Sequence, residues 1–312
     1  MATQLIDVAT DVHLWAERFD REIGDLFTLQ DEVTSRIANA LGVEMIGTEA
    51  ARPDENPDAL DYILRGRAAG AKGFAGENTA EAISLFERAL ALDPQSVEAQ
   101  SRLAAVLIGR VIISMTDTAA ADIARAEGLV TQALAASPHD WFAHWVKGQM
   151  RRAQHRCEEA ISEFEAALAI NRNEFMTGLA WCKLHTGSIE EVIPLMERAI
   201  RLSPRDPGIG FLYRTIGFVH LLQSRIDEAI VSLEKARSAL PGLAHAYLIS
   251  AYALKGDTER ASAELAEARG LRGQNFNIAR LKATEYFGAP KFLTLFETTY
   301  LAGLRKAGVP ED

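Results

Sequence analysis

Gly210 to Leu243 reads GFLYRTIGFVHLLQSRIDEAIVSLEKARSALPGL, two short helical patterns joined by a polar turn around Gln223 to Ile226. The first pattern carries Tyr213, Ile216, Gly217 and His220 on one side. The second carries Ala229, Leu233 and Ala236 at spacings of four and three, then stops at Pro241-Gly242. Such spacing places small and apolar groups on one face of each helix, which lets two helices pack antiparallel at close range. The stretch predicts a helical hairpin.

A single hairpin this short cannot bury its apolar face, so its stability depends on neighbours of the same kind. The offsets of Ala229, Leu233, Ala236 and Pro241 recur at Ala82, Phe86, Ala89, Pro94 and at Ala126, Val130, Ala133, Pro138. Weaker copies stand at Ala160, Phe164, Ala167 with Arg172 in the terminal slot, at Val192, Met196, Ala199, Pro204, and at Ala261, Leu265, Ala268 with Gly273. Twelve residues before three of these sets lie Gly148, Ala180 and Gly217, small enough to let the two helices of one unit touch.

These residues resemble the tetratricopeptide repeat, whose period is about 34 residues. The resemblance covers Asp58 to Asn275 and predicts six repeats in series. The terminal alanines Ala89, Ala133, Ala167, Ala199, Ala236 and Ala268 are separated by 44, 34, 32, 37 and 32 residues, so the second repeat needs longer helices or a longer turn near Ile113 to Ala121. The expected fold is mainly α: a tetratricopeptide-type α-α superhelix of about six hairpins, with a small amino-terminal β-hairpin plus helix and a carboxy-terminal helical cap.

A chain of 312 residues, 48% hydrophobic and 24% charged, is long enough for one or two globular domains. Its net charge of -10 argues against generic binding to nucleic acid or anionic membrane, which requires a basic face. Up to Glu55, twelve acidic residues stand against four basic ones, a surplus that ordinary solubility explains. Only Cys157 and Cys182 occur, too few for a disulfide framework, and the opening MATQLIDVATDVHLW is unlike a signal peptide. The apolar run Leu103 to Met115 is interrupted by Arg110 and is shorter than a bilayer span. A cytoplasmic location is the expectation.

Thr3 to Val8 and His13 to Phe19 read as two strands with a turn at Ala9 to Asp11, and Thr28-Leu29-Gln30-Asp31 resembles a capping box opening a helix that runs to Gly42. One hairpin and one helix make a poor independent domain, because the strand edges stay unpaired. The run QLIDVATDVHLWAERFDREIGDLFTLQDEVTSRIANALGV, Gln4 to Val43, is similar to the last part of the TolB-like α/β domain that precedes tetratricopeptide repeats in many bacterial class III adenylate or guanylate cyclases. Asp11 stands where that family usually has a turn glycine. Residues 1–46 are therefore expected to be a truncated TolB-like remnant, 47–57 a linker, 58–275 the repeats and 276–312 the cap, with Pro290 to Ala307 a final helix carrying Leu293, Leu295, Phe296, Tyr300, Leu301 and Leu304. Asp61 to Arg67, DYILRGR, and Gly303 to Glu311, GLRKAGVPE, resemble the same cyclase-associated proteins. Similar regions also follow winged-helix DNA-binding domains, so a cyclase fragment and a transcriptional-regulator fragment stand as alternatives to a free-standing scaffold.

The resemblance implies that the first helix of each hairpin lines a concave groove for a protein or peptide partner. It places there Phe142, Trp145, Gln149 and Arg152, then Thr177, Trp181 and His185, then Phe211, Arg214 and Phe218. Trp, Phe and Arg are the side chains that anchor interfaces. The competing reading is that these aromatics fill the interior of the array or meet the terminal helices. A lysine- and asparagine-rich clamp for chaperone tails is not expected, since the groove offers mainly Arg152 and Arg214. His155, Cys157, Cys182 and His185 could in principle hold zinc, but without a C-x-x-C pair no metal is expected. The chain has no phosphate loop, nucleophile elbow or H-E-x-x-H pair, and Glu158-Glu159 and Glu190-Glu191 read as acidic first turns of helices. No catalysis and no cofactor are expected, and the amino-terminal strands offer an edge for self-association.

Overall fold

The structure, a computed structural model, describes residues 2–7, 12–18, 57–73, 76–113, 115–171, 176–204, 206, 208–272 and 276–312. Two strands, β1 (Ala2–Asp7) and β2 (Val12–Arg18), pair antiparallel with Ala2 opposite Arg18 and a register irregularity between Leu5 and Ile6. The expected helix at Leu29 and nearly all of the expected linker lie outside the described residues. Every other described element is helical, and no described helix is long and apolar enough to cross a membrane. The chain divides into two compact units, residues 1–154 with 163–173, and residues 155–162 with 174–312.

In the first unit, α1 (Ala59–Ala71) begins at Asp58, whose side chain accepts from Asp61 N while Asp61 reciprocates, a capping box that satisfies two otherwise orphan amides. Its partner α2 (Gly76–Leu92) buries Ala82, Phe86 and Ala89. The two helices approach so closely that a Cβ on Gly66 would lie 2.7 Å from the Phe86 ring. The second hairpin is α3 (Val97–Ile112), capped by Ser96, and α4 (Ala119–Ala136), which buries Ala126, Val130 and Ala133. At 16 and 18 residues these helices exceed the 13 and 14 of α5 (Trp141–Ala153) and α6 (Cys157–Ile170), and six residues, 113–118, join them against three, 154–156, so the wide second repeat is made by longer helices and a longer turn together. Asp140 caps α5 by accepting from Ala143 N at 2.7 Å, and Gly148 faces Phe164 as Gly66 faces Phe86.

In the second unit, α7 (Met176–His185) and α8 (Val192–Leu202) form the fourth hairpin. α9 (Ile209–Leu222) and α10 (Ile226–Ala239) form the fifth, and α11 (His245–Lys255) and α12 (Thr258–Arg272) the sixth. In the opening stretch, Gly217 sits against Leu233, where a Cβ would come within 2.6 Å. Ile216 and Gly217 are buried, whereas Tyr213 and His220 are only half-buried. Thr215, Phe218 and Val219 are buried as well, because α9 is covered on two sides, by its hairpin partner and by the carboxy-terminal segment.

That segment comprises α13 (Ile278–Glu285), then α14 (Pro290–Leu295), a π-helical turn (Phe296–Leu301) and α15 (Ala302–Lys306). The last three run as one rod. Phe292, Phe296, Tyr300 and Leu304 are fully buried, while Leu293 and Leu295, expected to share the buried face, are half-buried. The carbonyls of Pro310 and Glu311 accept from Ile278 N and Ala279 N at 2.9 and 2.8 Å, so the chain's end satisfies the first amides of α13.

Candidate partner-binding face

First helices supply the candidate site in both units, but the two faces differ. In the first unit a connected row of side chains runs from α1 across α3 to α5. Arg67 Nη1 donates to Glu98 Oε1 at 3.1 Å, and Arg102 Nε lies 3.5 Å from the same oxygen. The Arg102 guanidinium sits 3.9 Å from the centre of the Phe142 ring, which stacks on Trp145 at 5.3 Å. Trp141 meets Phe142 edge-on, also at 5.3 Å, and one turn further Arg152 Nη1 donates to Gln149 Oε1 at 2.9 Å. Phe142 and Gln149 are buried; Trp145 and Arg152 are half-buried. The side chains of Arg67 and Arg102 keep 27% and 22% exposure, so the row presents cationic edges on an aromatic floor.

The opposite side of α5 is engaged in holding the hairpin together. Glu163 accepts from His144 Nδ1 at 2.8 Å and Lys147 Nζ at 2.6 Å. Burial alone would raise the Glu163 carboxyl; these two hydrogen bonds outweigh it and hold the group below the ordinary carboxylate range. Asp122 behaves alike, raised by burial but brought down further by Arg110, Thr116 and Thr118.

In the second unit the matching face is already occupied by the chain's own terminal rod. Phe218 is 1% exposed and packs its ring against Tyr247, Phe292, Phe296 and Tyr300 at centroid distances of 4.9 to 6.4 Å. His185, also 1% exposed, stacks on Phe287 at 4.2 Å and meets Phe292 at a tilt at 4.5 Å, and its carbonyl accepts from Ala289 N at 2.7 Å. Gly288 is obligatory at this join: its φ is +116° and a Cβ would fall 2.3 Å from the His185 oxygen. Ser250 Oγ donates to the Tyr300 carbonyl at 2.8 Å, and Gly303 lies so close that a Cβ would be 2.6 Å from the Ser250 oxygen.

Of the second-unit residues expected to line a groove, Phe218 and His185 thus face the terminal segment. Trp181 is half-buried between His185 and Phe218, at 4.8 and 6.4 Å, and Thr177 is half-buried on the same helix. Phe211, 37% exposed, and the half-buried Arg214 remain at the edge. His155 and His185 both pack on Phe287, at 4.1 and 4.2 Å, and Cys157 and Cys182 are buried thiols. Among the described residues the histidine–carboxylate group that converges is instead His245, Glu264 and Glu267. There Glu264 already accepts from His245 at 2.7 Å and from Arg237, so its charge is balanced within the protein.

Arg67 and Arg102 lie on the first helices of the first two hairpins, whereas the expected groove residues come from the third to fifth. The covering aromatics Phe287 and Phe292 are not among the residues expected on the final helix, and Phe287 precedes it. Their spacing with Phe296 and Tyr300 was the available signal.

Comparison with known proteins agrees with the helical-hairpin assignment. A family model described as Tetratricopeptide repeat matches residues 119–173 and 151–207. A protein of Rhizobium meliloti (strain 1021) named Putative adenylate cyclase 3 is 31% identical over 161 residues, 50% of this chain and 27% of that protein, so the chain spans about a quarter of its relative's length. Among solved structures, human IFIT1 in a dimer with PPP-AAAA covers 89% of this chain and 67% of its own at a TM-score of 0.60 and 19% identity. PilW, a type IV pilus biogenesis factor, covers 68% of this chain and 92% of its own at 0.52 and 16%. Pseudomonas aeruginosa pilF covers 77% and 96% at 0.50 and 17%. At such identities the structures speak for fold alone, and the family model shows tetratricopeptide repeats over residues 119–207.

Proposed function

We propose that this chain is a non-enzymatic tetratricopeptide scaffold that holds an acidic protein segment on the first-helix face of its first unit. We further propose that it works as the regulatory region of a cyclase-type signalling protein, with a TolB-like segment in residues 1–46. The observation that carries the binding reading is the row Arg67, Glu98, Arg102, Phe142, Trp145 and Arg152. Three guanidinium groups and one carboxylate over stacked aromatics form a locally cationic surface on a chain of net charge -10. The regulatory reading is supported by the 161-residue match to the named cyclase.

The binding test is selection of peptides on the full-length chain, followed by titration of the enriched sequences. Enriched peptides should be acidic, and Trp145→Ala should weaken them about tenfold or more while Phe211→Ala does not. Enrichment of basic peptides, or equal affinity for the Trp145 variant, would count against this face. Cyclic-nucleotide formation by the purified chain with magnesium or manganese would overturn the non-enzymatic reading.

A further inference from the structure

Arg214 stands on α9 between the rings of Phe211 and Tyr247, 5.3 and 5.9 Å from their centres. Its Nε is buried without a hydrogen-bond acceptor among the described residues, and no described carboxylate lies within ion-pair distance. A guanidinium remains charged at every physiological pH, and leaving one of its donors buried and unsatisfied is costly. Ring faces compensate only in part, since a cation–π contact is weaker than a charge-assisted hydrogen bond.

Beside this guanidinium lies a cavity of about 60 Å³, whose walls include His245, Tyr247, Leu271, Phe276 and Tyr300. That is several times the roughly 10–15 Å³ that one water needs, so the space admits a small organic group. His245, in its wall, is hydrogen-bonded to Glu264, which Arg237 also contacts, so Arg214 is left without an anionic partner among the described residues. Leu243, Ala246, Ala268, Leu271, Phe276 and Leu281 contribute apolar side chains to the rest of the wall. The terminal rod closes one side through Tyr300, and Leu271, 66% exposed, marks the open mouth.

We propose that this cavity is a receptor for a carboxylate carried on a small apolar group, with Arg214 as the anion-binding residue. The carboxylate replaces the missing acceptor at the guanidinium edge, and its aliphatic body fills the space between Tyr247 and Phe276. The chemistry is common to a free short-chain carboxylic acid and to the carboxy-terminal leucine or valine of a peptide, and the test separates them. This site is independent of the first-unit face described above.

Full-length protein would be titrated by calorimetry with isovalerate and with isovaleramide, and with one pentapeptide ending in leucine as its free acid and as its amide. Binding of an acid form with at least a tenfold preference over its amide is expected, and whichever acid binds more tightly identifies the source. Arg214→Gln should reduce acid binding about tenfold or more at unchanged helical content. Leu271→Trp, which blocks the exposed mouth without touching Arg214, should do the same and keeps the test decisive if the arginine variant misfolds. Acid and amide binding alike, no binding of either acid at millimolar concentration, or full binding by both variants would overturn the proposal.

Discussion

Glu163 shows how one side chain makes the first unit sensitive to acid. His144 and Lys147 lower its carboxyl in the folded state against the opposing effect of burial, so folding favours the ionised form. A depressed folded pKa contributes stability that is fully present above the ordinary value of 4.5 and is lost as pH falls through the folded value. Asp122 has the same sign and adds to it. Urea midpoints measured from pH 7 to pH 3 should therefore fall below about pH 4.5, and Glu163→Gln should flatten that fall while lowering the midpoint at pH 7. A variant as acid-sensitive as the parent would show that the pair is not coupled to folding. The same residue-scale view separates Phe218 from Phe211. Both were legible as large groups on the first helix of the fifth hairpin, yet one is 1% exposed and the other 37%.

The terminal rod explains that difference at the level of the element. Phe292, Phe296, Tyr300 and Leu304 follow at intervals of four, and in a regular α-helix each such step turns about 40° past a full revolution. The π-helical turn Phe296–Leu301 holds more residues per turn and absorbs the drift, which keeps all four side chains buried on one side. The geometry accounts for Ser250 reaching the Tyr300 carbonyl and for glycine at 303, where the rod touches α11. Phe292→Ala should cost about 3–5 kcal/mol in urea unfolding, as for other buried aromatics cut to alanine, while Phe211→Ala stays within about 0.5 kcal/mol. Equal small losses would mean that the rod contributes little to the second unit.

For the whole molecule, stacked hairpins make stability a sum of local terms, so unfolding need not be a single step. With two compact units, scanning calorimetry should give a calorimetric enthalpy larger than the van't Hoff value, and Phe292→Ala should displace only one of the component transitions. A single two-state peak that shifts as a whole would contradict this. The hairpins were readable in the chain because their requirement is local. Gly148 and Gly217 meet Phe164 and Leu233, each 16 residues along the chain, and a small residue facing a large one at a set offset leaves a visible pattern; Gly66 meets Phe86 across 20 residues, outside that pattern. The candidate face was readable only in part, since Phe142, Trp145, Gln149 and Arg152 share one regular helix, whereas Arg67 and Arg102 join them through repeats of irregular length. Which face stays available was decided by tertiary structure alone. Phe292 meets Phe218 across 74 residues of chain, and Tyr300 meets Ser250 across 50, contacts that no local period encodes. By itself the sequence determined a series of helical hairpins with aromatic and arginine side chains on their first helices. The folded chain determined that its own terminal segment buries that face in one unit, because Phe287, Phe292, Phe296 and Tyr300 bury their apolar area against α7, α9 and α11.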